Sequence, residues 1–257
     1  MKLIVLGSGT TVPHPKRSSS AYWLKTAESR ILLDCSATAI PRMIAEELPW
    51  YELDAIWISH FHIDHCGGLL PFLGGVRHSS EMKVRTKPLR IFGPIGLRKL
   101  IEAFSNAYDY KLLEQPFPLE VIEVEPLEEF KIAADLTAVP MKTPHTDESL
   151  AIHLRGKADT TLVYTADTGF TETLATFARG VDLLLLEASF PAESPVQKHL
   201  GLAEAMFIIR SSQPKQAVLT HLYPEWDDVD HDKALAEFSP RCEVAIAEDG
   251  LRITFGE

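Results

Sequence analysis

Cysteine is scarce in this chain. The three present, Cys35, Cys66 and Cys242, stand far apart, with no Cys-x-x-Cys pair among them. That excludes a disulfide framework and a cysteine zinc knuckle. Cys66 follows a histidine and could line a site, but reads first as a small buried residue. Long hydrophobic runs are also missing, and none approaches the roughly 20 apolar residues of a membrane span. The opening Met1–Gly7 stretch is apolar but too short for a secretory leader and lacks a small-residue cleavage site. It reads as a first strand, and the protein as cytoplasmic. Positive charge is in deficit, with 25 Lys and Arg against 36 Asp and Glu for a net charge of −11. This weighs against a general nucleic-acid binder, which needs a basic face, and favours a small or weakly charged substrate. A local basic pocket stays compatible with it. No low-complexity segment or linker divides the chain, so residues 1–257, with 46% hydrophobic content, are expected to form one domain around a large core.

Histidine is present where it matters. Ser59-His-Phe-His-Ile-Asp-His65 places three imidazoles and a carboxylate within six positions. An apolar run, Asp54–Ile58, precedes it and reads as a buried strand, and Cys66-Gly-Gly-Leu-Leu opens a helix after it. The cluster therefore sits on a loop at a strand end, where rigid scaffolds present ligands. His60 and His62, two apart in an extended loop, point the same way and can grip one metal. Asp64 and His65 follow where the chain turns and can face a second. Imidazole with carboxylate suits zinc, manganese or iron.

Strands are expected at Lys2–Leu6, Ser20–Leu24 and Arg30–Asp34, then a helix over Ala37–Leu48. Beyond the histidine motif, Gly67–Val76 reads as helix, His78–Lys87 as a surface loop, and Leu89–Phe92 as a strand before an Ile95–Phe104 helix. The alternation from Pro116 to Pro140 predicts antiparallel strands, and Leu150–Leu154 with Thr161–Thr165 predicts a hairpin. Gly7-Ser-Gly9 is a tight-turn signal, since no long helix follows it as a dinucleotide motif requires. His14 in the same loop reads as a loop histidine.

The Ser59–His65 stretch resembles the signature of the metallo-β-lactamase superfamily. That resemblance implies an α/β fold, a four-layer αβ/βα sandwich, and a hydrolase with one or two metals. It further implies His145 as a third imidazole for the first metal, in preference to His153, which alternates inside a strand. Asp167 would bridge two metals and His221 would close the second, in preference to Asp167 serving as a helix cap before Thr171. The implied sets are His60, His62, His145 and Asp167, and Asp64, His65, Asp167 and His221, holding two divalent ions, zinc first and manganese or iron as alternatives. Asp34 would hydrogen-bond a loop histidine.

Gly7, Gly9, Pro13 and Arg17, together with His199 ahead of a small-residue helix and Glu187 at a strand end, are similar to the ribonuclease Z and cyclic phosphodiesterase branch. That branch implies a phosphodiesterase in which a hydroxide shared by the two metals attacks phosphorus. Asp64 would orient the hydroxide, and His199, held by Glu187, would protonate the leaving oxygen. His199 could otherwise be a helix-start residue without a role. A small phosphodiester is the expected partner, with a homodimer by analogy. tRNA is disfavoured because only a short hairpin separates His145 from Asp167, with no long Gly- and Pro-rich arm. The alternatives are a lactone or thioester hydrolase, for which Tyr223 is a weak pointer, a tRNA 3′-processing endonuclease, and a non-catalytic metal-binding scaffold.

Overall fold

The computed structural model describes residues 1–256. Among them are fourteen strands: β1 Lys2–Gly7, β2 Ala21–Lys25, β3 Arg30–Leu33, β4 Ala55–Trp57, β5 Leu89–Pro94, β6 Leu119–Val124, β7 Phe130–Ala133, β8 Leu136–Lys142, β9 Leu150–Arg155, β10 Thr161–Tyr164, β11 Leu183–Glu187, β12 Gln216–Thr220, β13 Glu243–Ile246 and β14 Arg252–Thr254. The helices are α1 Ala39–Ala45, α2 Ile63–Cys66, α3 Leu69–Val76, α4 Ser80–Lys83, α5 Leu97–Ala107, α6 Glu172–Phe177, α7 Leu202–Ser212 and α8 His231–Ala236. The strands form two seven-stranded sheets, ordered β14-β1-β2-β3-β4-β5-β6 and β13-β12-β11-β10-β9-β8-β7. Each sheet is half antiparallel and half parallel. Pairs from β14 to β3 are antiparallel and from β3 to β6 parallel. In the second sheet β7 to β10 are antiparallel and β10 to β13 parallel. This is the expected αβ/βα sandwich.

Three apolar layers hold it together. Leu3, Val5, Tyr22 and Trp57 of the first sheet meet Ile152, Leu162, Tyr164 and Leu185 of the second between the sheets. On the outer face of the first sheet, Ile4, Leu6 and Ile56 pack under Met43, Phe72 and Ile101 of the helices. Val163, Leu184 and Leu219 do the same against Leu174, Ala205 and Ile209. With both faces covered, a strand such as Leu3-Ile-Val-Leu6 is apolar throughout rather than alternating.

Most elements fall where the sequence places them, with three differences. The Pro116–Pro140 segment is not one antiparallel unit. β6 runs parallel to β5 at the edge of the first sheet, while β7 and β8 pair antiparallel in the second. Alternation marks a half-buried strand but not its partner, and α5 between β5 and β6 supplies the crossover that a parallel pair needs. The expected Ala37–Leu48 helix is confined to α1 and is followed by Glu47 in the left-handed region at φ 54°. Within the expected His78–Lys87 loop a single helical turn, α4, forms because the Ser79 side chain accepts from Met82 N at 3.2 Å.

Candidate metal centre

The cluster is assembled at the carboxyl ends of strands from both sheets. Asp34 follows β3, the His60 loop follows β4, and Asp167, Glu187 and His221 stand at or just beyond the ends of β10, β11 and β12. Open α/β sheets present ligands at such ends. Asp34, Ala166 and His221 all adopt left-handed backbone, at φ 57°, 50° and 59°. Each turns the chain sharply off its strand, a conformation that costs about 1–3 kcal/mol for a non-glycine residue and collects at functional sites. The loops are laced to one another. Leu150 N donates to Ser59 O at 3.0 Å, Thr143 Oγ1 to Asp167 O at 2.9 Å, and Cys35 N to His65 O at 2.7 Å.

Seven side chains named from the sequence meet here. His60, His62, His145 and Asp167 form one group whose donor atoms all lie within 4.8 Å of one another. Asp64, His65 and His221 form another. Asp167 stands between them. Its Oδ2 is 3.7 Å from His60 Nε2 and 3.6 Å from His145 Nε2, and its Oδ1 is 3.1 Å from His65 Nε2 and 3.4 Å from His221 Nδ1.

His60 Nε2, His65 Nε2 and Asp167 Oδ1 are buried without a hydrogen-bond partner. Buried polar atoms are otherwise nearly always paired, so three converging orphans fit a cation better than they fit protein. The far side of each ring is anchored. His60 Nδ1 is 3.0 Å from Ser59 Oγ, His145 Nδ1 donates to Lys198 O at 2.9 Å, and His65 Nδ1 donates to Asp34 Oδ2 at 2.7 Å. That fixes the tautomer and leaves the other nitrogen's lone pair on the cluster side.

The electrostatics agree with a cation site. Burial holds His60 and His145 below the ordinary imidazole range and pushes His221 down to about 4, so these rings are neutral near pH 7, the form in which imidazole can bind a cation. Burial opposes ionisation of Asp167, but His221 and His65 outweigh it and hold the carboxyl well below the usual range. Burial also opposes charge on His65, yet Asp167 and Asp34 draw a proton onto it and raise it well above the ordinary value. The carboxylates thus create a demand for positive charge at the centre of the cluster.

His199 faces the same space. Its ring lies 4.8 Å from His145 and stacks on His221 at 5.4 Å. Nδ1 donates to Glu187 Oε1 at 3.1 Å. Glu187 also accepts from Thr168 N, Ser189 Oγ and Leu200 N, at 2.5, 2.6 and 3.1 Å. Burial raises the Glu187 carboxyl. Burial lowers His199, but the hydrogen bond and charge of Glu187 prevail and raise it. An open cleft of about 400 Å³ gives access, lined by Thr11, Phe61, Ile63 and Tyr223 as well as the cluster.

Other candidates lie elsewhere. His153 sits within β9 and packs edge-on against Phe177 at 5.6 Å. His14 bonds Asp227 at 2.8 Å, as does Arg17 at 2.5 Å, so the Gly7–Arg17 loop is tied to the segment that follows β12. Gly7 is required there because a Cβ would meet Ser19 O at 1.9 Å. Cys66 is buried, its thiol donating to Phe61 O at 3.3 Å. Sequence reasoning missed Ser20, whose Oγ is 3.0 Å from His221 Nδ1, and Tyr164, whose hydroxyl donates to Asp34 at 2.6 Å. Tyr164 ends β10, three residues before Asp167, but a tyrosine in an apolar strand reads as core.

The family described as Beta-lactamase superfamily domain matches residues 29–222. The chain is 25% identical to Ribonuclease Z of Clostridium perfringens, over 89% of this chain and 90% of that protein. It is 26% identical to the mitochondrial Ribonuclease Z 2 of Schizosaccharomyces pombe over 97% of this chain, but spans only 38% of that protein's length. Among solved structures, the metallo-β-lactamase fold protein YhfI of Bacillus subtilis superposes with a TM-score of 0.79 at 25% identity, covering 99% of both chains. The short form of human tRNase Z superposes with a TM-score of 0.82 at 22% identity, covering 100% of both.

Proposed function

Since this chain belongs to the metallo-β-lactamase superfamily, and so to a family of metal-dependent hydrolases, we propose that it is a phosphodiesterase with two divalent cations and His199 as its proton donor. The cations, zinc first with manganese or iron as alternatives, would be held by His60, His62, His145 and Asp167 and by Asp64, His65, Asp167 and His221, and when bound would acidify water and neutralise phosphate oxygens. The observation that carries the reading is the Glu187–His199 pair set against the ligand cluster. Glu187 takes the Nδ1 proton at 3.1 Å, so Nε2 is the nitrogen free to deliver a proton to a leaving oxygen. The raised basicity of His199 keeps a proton available there. Asp64, 8% exposed at the mouth of the cleft, would orient the attacking water. The net charge of −11 disfavours a long polyanion more than a small, singly charged phosphodiester.

The relatives named Ribonuclease Z support RNA as the second substrate class. The short β9–β10 connection and the acidic chain weigh against it, because RNA binding draws on basic surface.

Metal analysis with a screen of bis(p-nitrophenyl) phosphate, a lactone and a thioester tests the reading. We expect two metals per chain and preference for the phosphodiester. His199→Ala should keep both metals and lose about 10²–10⁴-fold in turnover, most severely with poor leaving groups. Full activity of that variant on an alkyl phosphodiester would overturn the role given to His199.

A further inference from the structure

Asp34 is completely buried and accepts four hydrogen bonds. Oδ1 takes Ser59 N at 2.8 Å. Oδ2 takes Ser59 Oγ at 2.8 Å, His65 Nδ1 at 2.7 Å and Tyr164 Oη at 2.6 Å. Three of these donors come from the first half of the chain, within one loop of β4. Tyr164 alone comes from the second sheet, from the strand whose next turn carries Asp167.

We infer that Tyr164 is a positioning residue for the metal centre, its phenol aligning, through Asp34, the His65 of one sheet with the Asp167 of the other. The inference rests on the reading of His65 as a cation ligand.

A carboxylate oxygen offers about two lone-pair directions in its plane, so three donors on Oδ2 leave it little freedom to rotate. His65 has no other side-chain anchor on its Nδ1 side, and its ring orientation follows that of Asp34. Without the phenol, the Asp34 carboxylate is held only by groups of its own sheet. Its alignment with β10, and hence the 3.1 Å approach of His65 Nε2 to Asp167 Oδ1, is no longer enforced. The phenol keeps its proton for this purpose, since burial and the adjacent Asp34 raise it well above the ordinary tyrosine value. Outer hydrogen-bond partners of this kind orient metal ligands and are worth tens-fold in affinity.

Tyr22 provides the control. It is as deeply buried as Tyr164, its ring lies 5.1 Å away, and its hydroxyl bonds Thr220 Oγ1 at 2.8 Å rather than Asp34. Zinc affinity is measured by competition with a chromophoric chelator on the full chain, without substrate, for wild type, Tyr164→Phe, Tyr22→Phe, Asp34→Asn and the Tyr164→Phe/Asp34→Asn pair. Cobalt-substituted protein supplies a spectroscopic check on ligand geometry. We expect Tyr164→Phe to weaken one of two zinc ions by about 10- to 100-fold and leave the other unchanged. Its cobalt spectrum should change while that of Tyr22→Phe does not. The double variant should lose no more than Asp34→Asn alone, because the phenol acts through that carboxylate. Wild-type zinc affinity in Tyr164→Phe, equal losses in both tyrosine variants, or additive losses in the pair would each overturn the inference. Wild-type protein that binds no zinc would instead overturn the metal reading on which it depends.

Discussion

His145 and His153 lie eight residues apart and have opposite surroundings. His145 Nε2 approaches Asp167 and, at 3.0 Å, His62 Nδ1, whereas His153 is half-buried against Phe177 on the outer face of the second sheet. His145→Ala should therefore weaken cation binding by at least the roughly 10- to 100-fold that loss of an outer partner costs. His153→Ala should leave the cation content unchanged, as measured by elemental analysis after dialysis. The sequence separates the two because an imidazole inside an alternating strand reads as packing, while one beside Pro144 at a strand end reads as presented. The four candidates of the Ser59–His65 stretch were legible from their own pattern, and His145, Asp167, His221 and the Glu187–His199 pair through the family resemblance. Tyr164 and Ser20 were not, since their roles depend on reaching across from another loop or the other sheet, and nothing local in the chain marks that.

At the scale of elements, the turn from the histidine loop into α3 depends on close approach. A Cβ at Gly68 would meet Ser36 O at 2.0 Å, so this glycine lets the start of α3 rest on the chain leaving β3. Gly75, inside the same helix, has nothing within 4 Å of a built Cβ. Gly68→Ala should destabilise the protein by about 1–3 kcal/mol through overpacking. Gly75→Ala should stabilise it by about 0.5–1 kcal/mol through helix propensity. Denaturant midpoints at constant slope measure both. The sequence shows Gly67-Gly68 and Gly74-Gly75 as equivalent pairs, and only the packed structure tells them apart. Strand partners are hidden for the same reason. β6 and β7 have similar alternation, yet one ends the first sheet and the other begins its path in the second.

For the whole molecule, the sheets are joined at the end away from the cluster by Asp135. Placed between β7 and β8, it accepts from Thr26 Oγ1, Glu28 N and Ser29 Oγ of the β2–β3 turn at 2.9, 3.1 and 2.6 Å. Burial opposes its ionisation, but these bonds together prevail and depress its pKa. A carboxyl depressed on folding contributes stability above its unfolded value, near 3.9, that is lost as pH falls through its folded value. Thermal midpoints should thus decline as pH drops from about 5 toward 3, and Asp135→Asn should flatten that part of the curve. The family resemblance of the Ser59–His65 stretch implied the sandwich, but not this contact, which joins residues more than a hundred positions apart. At the opposite end of the sheets the candidate ligands divide between the halves: His60, His62, Asp64 and His65 from one, His145, Asp167 and His221 from the other. Neither half holds a complete set. Cations seated among them would act as a clasp across the seam, and stripping them should loosen the docking of the halves before either sheet itself comes apart.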